Sequence, residues 1–119
     1  MAETFDFVAI GSGTAAQVAV HRMADSGKRC AVIDYRPYGG TCALRGCDPK
    51  KMMVSAEEAL AAYRRMKGKG IEGSVSIDWA DLQTFKRSFT GPVPEKQEAR
   101  YERKGVATFN GAAHKFHRK

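Results

Sequence analysis

The chain has 119 residues, 43% of them hydrophobic and 28% charged, with a formal net charge of +7. That is enough for one small core and gives an ordinary soluble composition. No apolar run reaches the roughly 18 residues of a membrane span, and the start "MAETFDFVAIGSG" lacks a secretory leader's basic and apolar regions. A cytoplasmic protein without membrane contact is expected. Residues 1–50 hold six Lys/Arg against five Asp/Glu, so the basic excess lies in the second half, ending in "HKFHRK". There the bases alternate with acids in "PEKQEARYERK" and no aromatic platform accompanies them. A solvated helix face and tail are expected, not a nucleic-acid surface.

In chain order, "TFDFVAI" (4–10) runs apolar into glycine and reads as a buried parallel strand. "GSGTAAQVAVHRMADSGK" supplies a tight turn and a helix, with Gly27 as its closing glycine. "RCAVIDY" (29–35) is a second strand, completing a right-handed βαβ unit in which the first strand is expected to be central. A glycine turn and a segment holding two cysteines follow, then a helix from about Pro49 to Met66, broken by "KGKGIEG". Asp78 is an N-cap candidate for "WADLQTFKRSF". "TGPVP" reads as a turn, "EKQEARYERK" as a polar, solvent-facing helix and "GVATFNGAA" as a third strand.

Two patterns carry chemistry. "GSGTAA" is G-x-G-x-x-A between a strand and a helix. Gly11 permits the sharp turn, Gly13 allows close approach of a pyrophosphate, and the helix start offers unpaired N–H groups. Asp34 ends the second strand, where an acid can accept from a ribose hydroxyl. The second pattern is "GGTCALRGCDPKK". In an ideal helix, Cys42 and Cys47 would lie about 140° apart around the axis and ~8–9 Å apart at Cα. A disulfide needs Cα atoms within roughly 7 Å, so bridging requires distortion, which Gly46 and Pro49 permit. A strained, reducible pair near a helix start suits a redox catalyst. A zinc site would need further ligands from Cys30, His21, His114 and His117, and the sequence favours none. Cys30 is expected in the core.

The second pattern closely resembles the G-G-T-C-x-x-x-x-G-C-x-P-x-K signature of the class I pyridine nucleotide-disulfide oxidoreductases, the flavoprotein disulfide reductases that include glutathione reductase, dihydrolipoyl dehydrogenase and mercuric reductase. The resemblance implies an incomplete doubly wound, Rossmann-like α/β FAD-binding domain with a parallel sheet. Gly11, Gly13, Thr14 and Ala15 would bind the FAD pyrophosphate. Asp34 stands where the family usually has Glu, on the adenosine ribose. Gly40 and Thr41 would lie along the FAD, and Ala113 of "NGAA" would offer backbone to adenine. Cys42 would be the interchange thiol, Cys47 the thiol beside the flavin and Lys50 a residue near the hydride-accepting nitrogen. The resemblance further implies a homodimeric NAD(P)H-dependent parent enzyme in cell redox homeostasis, acting on a disulfide, dihydrolipoamide or Hg(II). Residues 1–119 would be the N-terminal part of its FAD/NAD(P)-binding domain, with no second G-x-G-x-x-G for NAD(P)H and no dimerisation domain. The alternative is a truncated, non-catalytic nucleotide-binding or redox-interaction module.

Overall fold

A computed structural model of the chain describes residues 2–115. His117 and the end of the basic tail therefore lie outside the described residues. The element order is β1 (Phe7–Ile10), α1 (Thr14–Asp25), β2 (Cys30–Asp34), α2 (Gly40–Arg45), α3 (Cys47–Met66), α4 (Trp79–Thr90), α5 (Val93–Arg103) and β3 (Ala107–Asn110). The three strands form one parallel sheet in the order β1-β2-β3. This is the α/β architecture that the sequence implies.

The expectation of a central first strand is not met: β2 is central and β1 lies at the edge of the described sheet. The reason lies in burial on both faces. Cys30, Ala31 and Val32 of β2 are all buried, whereas Val8 and Ile10 of β1 are 44% and 77% exposed. Register pairs Phe7 with Cys30 and Ala9 with Val32, so these four share the face covered by α1 and α5. The core there adds Val20, Tyr38, Tyr101 and Val106. Ile10, Ile33 and Phe109 are in register on the other face, which stays largely open.

Local signals set the helix ends. Gly27 takes φ +80°, its N–H donates to the Ala24 carbonyl and the Lys28 N–H to that of Met23, a Schellman closure of α1. The Asp78 carboxylate accepts from the Asp81 N–H at 3.0 Å and starts α4. The helix α5 differs from its expected solvent-facing character. Gln97 and Tyr101, four residues apart and so on one helical face, are buried. Tyr101 has no exposed surface and packs edge-on against Tyr38. The paired helices α3 and α4 extend away from the sheet, giving overall dimensions of 74 × 29 × 19 Å.

His21 of α1 stacks on Tyr101 with ring centroids 5.4 Å apart. Burial first, and then the Lys104 and Arg100 charges, hold the imidazole below its ordinary pKa, opposed by Asp25, which itself pairs with Lys104. A group with a depressed folded pKa favours the unfolded chain once that chain begins to protonate. The contribution of His21 is therefore complete above the unfolded imidazole value of about 6.5 and declines as pH falls below it. Thermal melts from pH 8 to 5 should show this decline, and His21→Phe should flatten it. An unchanged slope in the variant would contradict this account.

Candidate functional site

The turn after β1 is built from backbone needs. Gly11 has φ +99°, open to glycine at little cost, and its N–H donates to the Ile33 carbonyl at 2.6 Å. Ser12 is 1% exposed and is the residue the sequence reading passed over, because it occupies a variable place in G-x-G. Its N–H and Oγ–H both donate to Asp34 Oδ2, at 2.8 and 2.6 Å. In turn Ser12 Oγ accepts from the Gly39 N–H at 3.2 Å, and the Ser12 carbonyl accepts from Gln17 Nε2 at 3.0 Å. Burial pushes the Asp34 carboxyl up, but hydrogen bonds from Ser12 and Arg36, with the Arg45 guanidinium, outweigh it and hold the group below the ordinary value.

Gly13 is the N-cap of α1, with no side-chain cap and no acid in the helix's first turn. A Cβ added there would meet nothing within 4 Å. Thr14 and Ala15, the first residues of α1, are exposed. The first-turn N–H groups thus face open space at the positive end of the helix. Gly40, the first residue of α2, has φ +74°, and a Cβ on it would lie 2.4 Å from Gly13 Cα. Two helix starts therefore meet at one point, and the contact leaves no room for a side chain at Gly40. Thr41 follows on the exposed side.

At the carboxyl ends of the strands, a pocket of about 170 Å³ brings Gly11 and Asp34 together with Gly111 and Ala113. The Gly111 N–H donates to the Asp34 carbonyl at 2.9 Å and fixes the chain after β3 against β2.

The two cysteines occupy different helices. Gly46 (φ −124°, ψ −112°) ends α2 and precedes α3, so the break foreseen from glycine is present. The helix α3 starts two residues before the expected Pro49, at Cys47. A Cβ on Gly46 would come within 3.0 Å of the Thr41 carbonyl oxygen and 3.4 Å of Cys42 Cα. Cys42 is half-buried and Cys47 exposed, and both are free thiols. The adjacent Cys47 side chain is the main cause that pushes the Cys42 thiol up, with Asp48 acting the same way. Cys30 is 1% exposed, its thiol donates to the Lys28 carbonyl at 3.3 Å, and burial raises its pKa. It lies in the core, as expected, apart from the pair. Among the described residues no three His, Cys, Asp or Glu side chains converge as a metal site. None of the described helices is long and apolar enough to cross a membrane.

Lys50 is exposed. Lys51, one turn beyond Cys47, lines a much larger cavity of about 550 Å³ between α3 and α4, together with Met52, Phe85 and Phe89. Sequence reasoning had no signal for this cavity, because it depends on how two helices separated by a long connection pack.

No family model matches the chain. Curated relatives do. A glutathione reductase of Schizosaccharomyces pombe is 29% identical over 116 residues, 95% of this chain and 25% of that protein. A dihydrolipoyl dehydrogenase of Chlamydia muridarum is 31% identical over 112 residues, 93% of this chain and 24% of that protein. One of Bacillus subtilis is 34% identical over 89 residues, 74% of this chain and 19% of that protein. These similarities support the pyridine nucleotide-disulfide oxidoreductase family. The chain spans about a quarter of the length of the first two of these oxidoreductases.

The exposure and environment of the thiols set an order of reactivity. In this chain Cys47 is exposed, while Cys42 is half-buried with a raised pKa. Thiolate fraction and access both govern alkylation. In a timed iodoacetamide reaction of the reduced chain, followed by mass spectrometry, Cys47 should label before Cys42, with Cys30 last. Cys30 labelling first would contradict the fold.

Proposed function

We propose that the chain is the N-terminal, FAD-binding and dithiol-bearing region of an NAD(P)H-dependent flavoprotein disulfide reductase. The observation that carries this reading is the contact between Gly13 and Gly40. It joins the nucleotide turn to the segment bearing the cysteines, so one anion placed at the two helix starts would fix both.

The residues suit the cofactor. Gly13 has open space where a pyrophosphate would sit, and the uncapped start of α1 offers N–H donors. Gly11, Thr14, Ala15, Gly40 and Thr41 would complete that cradle. Asp34 holds the turn through Ser12 and would present its remaining lone pairs to the ribose, and Ala113 would offer backbone to the adenine. FAD bound there would supply an acceptor for hydride from NAD(P)H and a donor of the electron pair to the Cys42–Cys47 disulfide. The chain's own part is the thiol exchange. Cys42 would attack a substrate sulfur and form a mixed disulfide, and Cys47 would then displace the second thiol. Lys50 would act at the flavin edge. Disulfides, dihydrolipoamide and Hg(II) are the substrates to be distinguished in a homodimeric, cytoplasmic parent enzyme.

Titration of the ¹⁵N-labelled chain with FAD tests the nucleotide half. Weak binding should shift amides of residues 11–15 and 39–41, and Gly13→Val should abolish the shifts. No shift at millimolar FAD would overturn the cofactor assignment. Mild oxidation tests the other half, since a Cys42–Cys47 disulfide must form.

A further inference from the structure

The far end of the α3–α4 hairpin belongs to neither the nucleotide turn nor the dithiol. The helix α3 begins at Cys47, and its 20 residues carry the chain about 30 Å away at 1.5 Å per residue. There the chain turns back. The Lys69 N–H donates to the Met66 carbonyl at 2.9 Å, the Gly68 N–H to the Ile71 carbonyl at 3.0 Å, and the Tyr63 hydroxyl to the Gly73 carbonyl. The turn is therefore built and tied to α3. Val75 and Ile77 follow, across a groove from Ala59 and Leu60, and lead into Trp79, the first residue of α4.

Two properties coincide at this end. Met66, Ile71, Val75, Ile77 and Trp79 are all exposed, Trp79 at 64%. A cluster of large apolar side chains left in water marks an interaction surface. Arg64, Arg65, Lys67 and Lys69 stand among them, all exposed and without an ion-pair partner among the described residues. The nearby acids are Glu72 and Asp78, and the Asp78 carboxylate is engaged as the cap of α4.

We infer that this end of the hairpin docks on an anionic lipid bilayer, with Ile71 and Trp79 in the headgroup boundary and the four bases against the lipid charges. Tryptophan favours the membrane–water interface, and clustered bases are drawn to the anionic cytoplasmic leaflet. Charge separates this occupant from the others. A second copy meeting the same end would bring like charges together. A protein surface covering it would have to supply acids for four unpaired bases. A nucleic acid would satisfy the bases but offer nothing to Ile71, Val75 and Ile77. Such docking departs from the expectation of no membrane contact, which rested on the lack of a spanning segment. It needs none, since the contact is peripheral. It is independent of the redox-pair reading.

Trp79 is the only tryptophan of the chain, so its fluorescence reports on this end alone. The chain is mixed with large vesicles of phosphatidylcholine, alone or with about 30% phosphatidylserine, at about 0.1 M salt. With the anionic vesicles alone, the chain should sediment, and Trp79 emission should move to shorter wavelength and be quenched by acyl-brominated lipid. Each base at an anionic surface is worth about fivefold in partitioning, so K67Q/K69Q should bind about 25-fold more weakly. The pair K96Q/R103Q removes the same charge from exposed positions of α5 and should stay within about twofold of the parent. Ile71→Ser, with every charge kept, should lose about fivefold. Circular dichroism checks each variant, and if Ile71→Ser loses its helical signal the two charge pairs decide the question. Equal binding to both vesicle types, equal losses in the two charge pairs, or sedimentation with unshifted Trp79 emission would overturn the inference. So would a vesicle-free dimer that K67Q/K69Q strengthens, or tighter binding to poly(U) than to the anionic vesicles at the same salt.

Discussion

Replacing Gly40 with alanine should destabilise the chain by about 3 kcal/mol, the upper end of the cost of overpacking. The melting temperature should fall by roughly 10 °C. Two penalties combine. The backbone at Gly40 has φ +74°, which a side chain rarely adopts, and the new Cβ would overlap Gly13 Cα at 2.4 Å. That neighbour is backbone, so relief requires α2 to move off α1 and carry Cys42 with it. The contrast is Gly13. Its φ of −73° suits any residue and its Cβ direction is open. Gly13→Ala should melt close to the parent, and Gly13→Val should fold yet lose nucleotide binding. Denaturant unfolding of the three variants measures the difference. Equal stability of Gly40→Ala and Gly13→Ala would show that the two helix starts are not in contact.

The second large effect is expected at Asp34. Its Oδ2 accepts two hydrogen bonds from Ser12 and its Oδ1 accepts the Arg36 N–H at 2.9 Å. Asp34→Ala leaves the buried Ser12 hydroxyl and amide without their charged acceptor, at a cost of about 2–3 kcal/mol. Ser12→Ala alone should cost less, and the double variant should fall well short of the sum, because the two residues share one interaction. The effect has its own pH window. The folded carboxyl pKa is depressed, so the contribution is complete above the unfolded value of about 3.9 and is lost as pH falls through the folded pKa. Parent and Asp34→Ala should therefore converge in strong acid. Additive single and double variants would mean that Asp34 does not hold the turn.

What the sequence disclosed was chiefly local. Gly27 and Asp78 end and start helices through contacts within five residues, and the βαβ unit is read from glycine placement and apolar runs. Gly46 as a break needed only its spacing between two cysteines. The strand order was not legible, because which strand is central depends on whether β3 returns to β2 across the intervening helices. The inward turn of α5 was also hidden. Only Gln97 and Tyr101 are buried in an otherwise charged helix, too few to produce a visible apolar stripe. At the site, glycines and acids announced the nucleotide turn. Ser12 and the wall formed by Phe85 and Phe89 act through partners remote in sequence.

The return of β3 has a kinetic side. Ser12 reaches Asp34 across 22 positions, whereas the Tyr38 hydroxyl that donates to the Phe109 carbonyl spans 71. Closing the longer loop costs about 1 kcal/mol more in chain entropy, and its contacts arrive only after that cost is met. The βαβ unit should therefore nucleate first, with the last strand docking onto a preformed edge. Tyr38, whose hydroxyl also donates to the Val32 carbonyl at 3.1 Å, is the latch between the two events. In stopped-flow measurements Tyr38→Phe should accelerate unfolding more than it slows folding.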